Sequence, residues 1–511
     1  MKVKMHKHFV NVIWVYFATF LVIPITYAIR VIYAQNLSLE DFGIFYGLFG
    51  FFVFFGFFRD WGMNSAVIYF ANKYHAEKRY DKIKTLFWFN QVIQFGLSVI
   101  IGLILFLFKE FIFSAFYPLE QNVSSIFSIF ILYWIIFTIY STNSIFLTIF
   151  QNQKANAFLN ILFFSVVLII SMLFIFLKIE NYIIPSLAYL ISTITIVLIS
   201  LFYILIHYKK ILLLPAFYKS KDLFKEVFQY SNSIIIAGGA GTLFLSTDKI
   251  IIQYFEASEM VAIYSVAFST ALLLTLFVSP IQRVIRPIIA NKWHIKEIKT
   301  IENIMSSILN NYLLFILPLV LSFFVFADNF ILAVYGKEFI GASLIIRILA
   351  FGVLIMTINS FISIILSSTG KPKVFSKIVV ITGICNVILS IILINVWGII
   401  GVAIATLFSS LLKLIMLITS VKKYILLKIN LVNNLKIIFS SLIFLIISLI
   451  LKNTIYHVYT SIMIINFLIN CAIIFGLSTS LYFLCLVFLK VINSEKIMYL
   501  YKLLFERKII K

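Results

Sequence analysis

The chain has 511 residues, 63% of them hydrophobic and 12% charged, and its 41 lysines and arginines against 19 acids give a formal charge of +22. With a mean hydropathy of +1.10, this composition excludes a soluble globular protein. The apolar residues come in runs of about 17 to 30 on every helical face, which excludes an outer-membrane barrel, whose strands alternate over about ten residues.

Lys2, Lys4 and Lys7 precede a long apolar run, as in a signal peptide, but the run exceeds the roughly 7 to 15 residues of a signal core and is read as an uncleaved first helix. Fourteen transmembrane spans follow in order: 10–33, 42–70, 85–108, 125–150, 156–177, 183–206, 231–254, 260–284, 304–327, 340–366, 377–396, 398–421, 435–451 and 460–489. Each is long enough to cross a hydrocarbon core of about 30 Å as a helix. Cys385, Cys471 and Cys485 fall within these runs, an odd number without CxxC spacing, so they are read as small buried hydrophobes.

The cations set the topology. With the N-terminus inside, 32 of the 41 lysines and arginines fall in or at the edges of cytoplasmic segments, four in outside loops and five within spans. The acids divide almost evenly, nine outside and eight inside, so only the cations discriminate, as the positive-inside rule requires. Both termini are therefore placed in the cytoplasm. The net charge is a topological signal directed at anionic headgroups, and no nucleic-acid partner is inferred.

A faint duplication runs through the first twelve spans. Arg30 and Lys249 lie 219 residues apart at corresponding span ends, Tyr117 and Glu120 match Tyr335 and Glu338 at an offset of 218, and Lys154 falls opposite Lys371 and Lys373. The recurrence in order argues for two six-helix lobes. The fold class is an all-α integral membrane protein: residues 1–215 form the N-terminal lobe, 216–425 the C-terminal lobe, and 426–511 two extra helices with a basic cytoplasmic tail. Six is even, so both lobes enter from the cytoplasm and enclose a midplane site.

Charges inside spans mark candidate sites, because a charge at that depth is costly unless it faces protein or water. Arg59, with Asp60 beside it, lies about 17 residues from the outer start of its span, and neighbours one residue apart on a helix point about 100° apart and pair poorly. Arg30, Lys249, Arg347 and Lys413 are further cavity cations, each with snorkelling to the interface as the plainer alternative. Asp60 and Asp248 are the two acids within spans and candidates for ion coupling to protons or sodium. A cationic excess favours an anionic, phosphate-bearing substrate. The histidines are read as lying in loops, no metal site or cofactor is expected, and GxxxxGK[ST], HExxH and GxSxG are all missing. The chain is therefore read as a transporter and not an enzyme.

The segment YAQNLSLEDFGIFY (Tyr33 to Tyr46) resembles the A-R-x-L-G-x-x-D-F/Y-G signature of polysaccharide-exporting flippases of the multidrug/oligosaccharidyl-lipid/polysaccharide superfamily, with Gln35 and Ser38 in place of its Arg and Gly. FFRDWGMNSAVIYF (Phe57 to Phe70) is similar to the stretch that follows it in that family. TDKIIIQYF from Thr247, VYGKEFIGAS from Val334, STGKPK from Ser368 and NVWGIIGVAIAT from Asn395 resemble its second-lobe landmarks in order. The resemblance covers about residues 10–425 and implies a MATE-like fold and a Wzx-type flippase of the bacterial cytoplasmic membrane. Such a flippase carries undecaprenyl-diphosphate-linked oligosaccharide, O-antigen units included, to the outer leaflet by alternating access. The diphosphate would enter between spans one and eight, and polysaccharide polymerase and glycosyltransferases would be partners. A multidrug exporter and a flippase of another lipid, such as a cell-wall precursor, are the alternatives on this fold.

Overall fold

The structure is a computed structural model, and it describes residues 2–118, 123–212, 221–427, 430–455 and 463–491. Glu120, His457 and the basic tail beyond Val491, all used above, lie outside the described residues. Among the described residues every regular element is a helix.

The chain begins with α1 (Lys2–Asn36), α2 (Leu39–Asp60), α3 (Met63–Ala76), α4 (Tyr80–Leu107), the short α5 (Lys109–Phe116), α6 (Val123–Ile149), α7 (Gln153–Phe176) and α8 (Ile184–Leu212). It continues with α9 (Lys221–Phe255), α10 (Ser258–Leu272), α11 (Val278–His294), α12 (Ile298–Val334), α13 (Ala342–Ser368), α14 (Pro372–Val421), α15 (Leu431–Ile455) and α16 (Met463–Phe488). Twelve helical stretches among the described residues are long and apolar enough to cross a membrane. The fifty-residue α14 carries both 377–396 and 398–421, with the chain turning at Gly398 (φ 56, ψ −143), a conformation open to glycine and costly for other residues. The predicted span 231–254 lies in α9.

Two predicted spans are broken. Residues 42–70 do not form one helix: α2 ends at Asp60, Trp61 (φ 44) and Gly62 (φ 73) are both left-handed, and α3 restarts at Met63. Residues 260–284 also divide, into α10, a 3₁₀ turn at Leu273–Phe277, and α11, whose first turn contains Pro280, where a missing backbone N–H breaks no helical bond. Two smaller expectations also change. The three cysteines are half-buried, and His75, His207 and His294 lie near the ends of α3, α8 and α11 instead of in loops.

The described chain divides into two compact units, Met1–Ser265 with Val379–Ala405 and Val266–Ile378 with Thr406–Lys511. In the first, α1 packs on α7, α6 and α7 on α8, α4 on α6, and α9 against both α2 and α3. Glycines on α2 permit its approach to α9: a Cβ on Gly47 would lie 2.9 Å from Gln253 Oε1, and one on Gly50 would lie 3.1 Å from Lys249. Small residues allow such backbone proximity where lipid gives helices no hydrophobic reason to associate. In the second unit, α12 packs against α13, α15 and α16, and the buried Tyr482 hydroxyl donates to the Leu314 carbonyl at 2.9 Å. Large apolar side chains such as Phe20, Phe176 and Phe488 are more than 80% exposed, as suits surfaces that meet acyl chains.

Candidate functional site

Helix α2 starts from a reciprocal cap: Ser38 accepts from the Asp41 backbone N–H at 3.0 Å and donates its hydroxyl to the Asp41 carboxylate at 2.7 Å. Glu40 and Asp41 in the first turn also complement the helix dipole. The helix ends 22 residues later on the Arg59–Asp60 pair. Because the break follows at once, both side chains stand at a helix terminus and not in the interior of a continuous span. Trp61 and Gly62 are docked on α9, with the Trp61 indole N–H donating to Asn232 at 2.6 Å and the Ser231 hydroxyl donating to the Trp61 carbonyl.

This break opens a cavity of about 420 Å³ within the first unit, lined by Arg59, Asp60, Asn64 and Ser65 among aromatic walls that include Phe49, Phe52, Tyr133, Trp134 and Phe137. The volume lies within the range of about 300 to 1,000 Å³ usual for ligand pockets. Arg59 is only 8% exposed. One terminal nitrogen donates to Thr138 Oγ1 at 3.0 Å, the guanidinium carbon lies 5.3 Å from the Trp134 ring, and Nε has no hydrogen-bond partner among the described residues.

Asp60 makes no direct ion pair with Arg59, although the two charges attract one another through space: four ion pairs are formed among the described residues, and Arg59 is in none of them. The Asp60 carboxylate instead accepts from the Asn64 backbone N–H at 3.1 Å and from Gln94 at 3.4 Å. Gln94 also donates to Asn64 at 2.7 Å and to Asn90 at 2.9 Å. An amide network thus holds the acid on one side while the guanidinium keeps most of its donors for something else. A buried cation with a single neutral partner is expensive unless a ligand anion completes it.

Arg30 and Lys249, matched by the internal repeat, meet at one aromatic ring: the Arg30 guanidinium carbon lies 4.8 Å and the Lys249 Nζ 5.6 Å from the centroid of Tyr46. Tyr46 is thirteen residues before Arg59 on α2, about 20 Å along the axis. Asp248 is buried and accepts from the Tyr264 hydroxyl at 2.5 Å. The other two predicted cations lie in the second unit. Arg347 pairs with Asp328 at 2.5 Å and donates to the Phe324 carbonyl; Lys413 stands 5.8 Å from the Phe375 ring. Among the described residues no group of three or more His, Cys, Asp or Glu could hold a metal ion.

Thr138, Trp134, Asn64, Asn90 and Gln94 were not singled out from the sequence. A signal for them was present: Asn90, Gln91 and Gln94 cluster in an otherwise apolar run, as do Thr138, Thr142 and Asn143, and polar groups at that depth have to find partners.

The sequence profile of the polysaccharide biosynthesis protein family matches residues 9–293. An uncharacterized membrane protein of Methanocaldococcus jannaschii is 31% identical over 415 residues, covering 78% of this chain and 80% of that protein. A probable low-salt glycan biosynthesis flippase of Haloferax volcanii is 29% identical over 196 residues, 38% of this chain and 40% of its own. Among solved structures, the lipid II flippase MurJ in an inward closed conformation superposes with a TM-score of 0.68 at 19% identity, over 93% of this chain and all of that one. An inward-facing multidrug resistance MATE family transporter of the MOP superfamily gives a TM-score of 0.68 at 12% identity, over 79% of this chain and 95% of that one. These two likenesses are of fold: the chain has the helical architecture shared by MurJ and MATE transporters.

Proposed function

The chain belongs to the polysaccharide biosynthesis protein family, and from that premise we propose that it is a flippase for a lipid-linked oligosaccharide on a polyprenyl diphosphate, undecaprenyl in a bacterial host. The supporting observation is Arg59: a buried guanidinium in a cavity, with one hydroxyl partner and no ion pair among the described residues. A diphosphate offers the acceptor oxygens that such a planar fork binds best.

In this reading the headgroup loads from the cytoplasmic side, where the positive-inside count places both termini, and the polyprenyl tail stays in lipid. Alternating access then exposes the headgroup outside. With the cell interior negative, outward movement of a doubly charged diphosphate is favoured by about 4 to 5 kcal/mol per 100 mV, so no nucleotide is required. Inward movement of protons or sodium through Asp60 or Asp248 would add to this. Arg30 and Lys249 on Tyr46 form a second cationic station along α2 for the same headgroup.

The test is headgroup translocation in proteoliposomes. Arg59→Ala and Arg59→Glu are expected to abolish protection-sensitive movement of a polyprenyl-diphosphate oligosaccharide while Arg59→Lys retains part of it. Normal translocation by a well-inserted Arg59→Glu protein would end the assignment, and export of cationic drugs in its place would favour the multidrug reading.

A further inference from the structure

A second cavity of the first unit, about 330 Å³, lies between α1, α6 and α7. Its polar wall is Thr19 on α1 with Tyr140, Ser141, Ser144, Gln153, Asn156 and Asn160, and no acid or cation is among the lining residues. Lys154, beside it in sequence, has its Nζ 5.1 Å from the Trp14 ring. Ser144 and Asn156 bond to each other at 2.8 Å. Tyr140, Ser141, Gln153 and Asn160, by contrast, make no side-chain hydrogen bond among the described residues, although all four lie on membrane-spanning helices. Gln153 opens α7 at the membrane edge, whereas Tyr140, Ser141 and Asn160 lie within their spans, where amides and hydroxyls are tolerated only where protein or a wet cavity surrounds them. A neutral, donor-and-acceptor-rich wall matches a ligand that is itself neutral and hydroxylated.

The cavity adjoins the arginine site. Phe137 lines both, and Thr138, which holds Arg59, is three residues before Ser141 on α6, a rise of about 4.5 Å. A phosphate on Arg59 would therefore leave its attached group about one helical turn along α6, against this wall. Resting on the flippase reading above, we infer that this cavity is a glycan subsite that takes the uncharged sugar next to the diphosphate. Tyr140, Ser141, Gln153 and Asn160 supply its hydrogen bonds, and Phe137 offers an apolar face to the ring.

The experiment measures equilibrium binding of two lipids to the full chain in nanodiscs: bare polyprenyl diphosphate, and the same lipid carrying an oligosaccharide. Ser141→Ala, Gln153→Ala and Asn160→Ala are each expected to weaken the glycosylated lipid about fivefold, the worth of one hydrogen bond, and to leave the bare lipid unchanged; Asn160→Gln should keep most of the affinity. Equal losses for both lipids, or none for either, would overturn the subsite. Photolabelling of the unaltered chain by a diazirine on the first sugar gives a readout free of folding defects. Label within 137–160 supports the inference, and label confined elsewhere removes it. Arg59→Ala should weaken both lipids alike. If it weakens neither, the diphosphate reading fails, whereas the sugar-dependent difference is scored by the other variants.

Discussion

Replacing Gly62 by alanine tests the break that shapes the arginine cavity. Gly62 has φ 73, and a Cβ built on it would lie 2.9 Å from the Ser231 backbone oxygen. The left-handed conformation alone costs a non-glycine residue about 1 to 2 kcal/mol. The contact adds overpacking against a carbonyl that belongs to the α9 backbone and cannot swing aside, for which about 1 to 3 kcal/mol is usual. Gly62→Ala should therefore destabilise the protein by about 2 to 5 kcal/mol, or else push α9 away and loosen the Trp61 contacts. Gly96 in α4 is the control: nothing stands within 4 Å of its added Cβ, and alanine there should stabilise the helix by up to about 1 kcal/mol. The measurement is the temperature at which half of the detergent-solubilised protein leaves the monodisperse size-exclusion peak. Gly62→Ala should fall several degrees below the unaltered chain while Gly96→Ala stays level or rises. Coincident midpoints for Gly62→Ala and the unaltered chain would show that the tight turn against α9 is wrong.

Gln94→Leu removes the amide that ties Asp60, Asn64 and Asn90 together, leaving buried polar groups unsatisfied at about 1 to 3 kcal/mol each; a lower melting midpoint and impaired translocation are expected, and unchanged values for both would discount the network. Tyr46→Leu takes the shared ring from Arg30 and Lys249 and should lose about 0.5 to 2 kcal/mol per cation, whereas Tyr46→Phe keeps the ring and should melt near the unaltered chain. Arg347→Ala breaks a part-exposed pair with Asp328, for which about 1 kcal/mol or less is expected. Its translocation rate should stay close to normal, and a loss as deep as that of Arg59→Ala would place Arg347 in the transport path.

Much of the architecture was readable without coordinates because lipid imposes a simple rule on sequence. A segment that crosses must satisfy its own backbone, so it is a helix, and it must be apolar for about twenty residues, so it shows as a run. The hydropathy pattern puts the boundary between 377–396 and 398–421 at Val396 to Gly398, and the chain turns at Gly398. Glycine and its neighbours carry that signal locally. The interruption of 42–70 was less legible. RDWG offers one glycine, and the left-handed Trp61 before it is held by Asn232 and Ser231, about 170 residues away. No window along the chain contains both partners.

The candidate site divides in the same way. That Arg59 is unusual was plain from its position, since a guanidinium in an apolar run demands an explanation. That Asp60 turns from it to Asn64 and Gln94, and that Thr138 and Trp134 meet it from α6, depended on the α2–α3 break and on the packing of α4 and α6 beside it. Equivalent-looking cations were likewise separated only in three dimensions: Arg347 has an acid within reach, Arg30 and Lys249 share a tyrosine, and Arg59 has a cavity. Sequence alone determined the class of molecule, because solvation in lipid acts on each segment by itself. Tertiary structure decided which charges are spent on one another, because pairing depends on distances that helix packing alone creates.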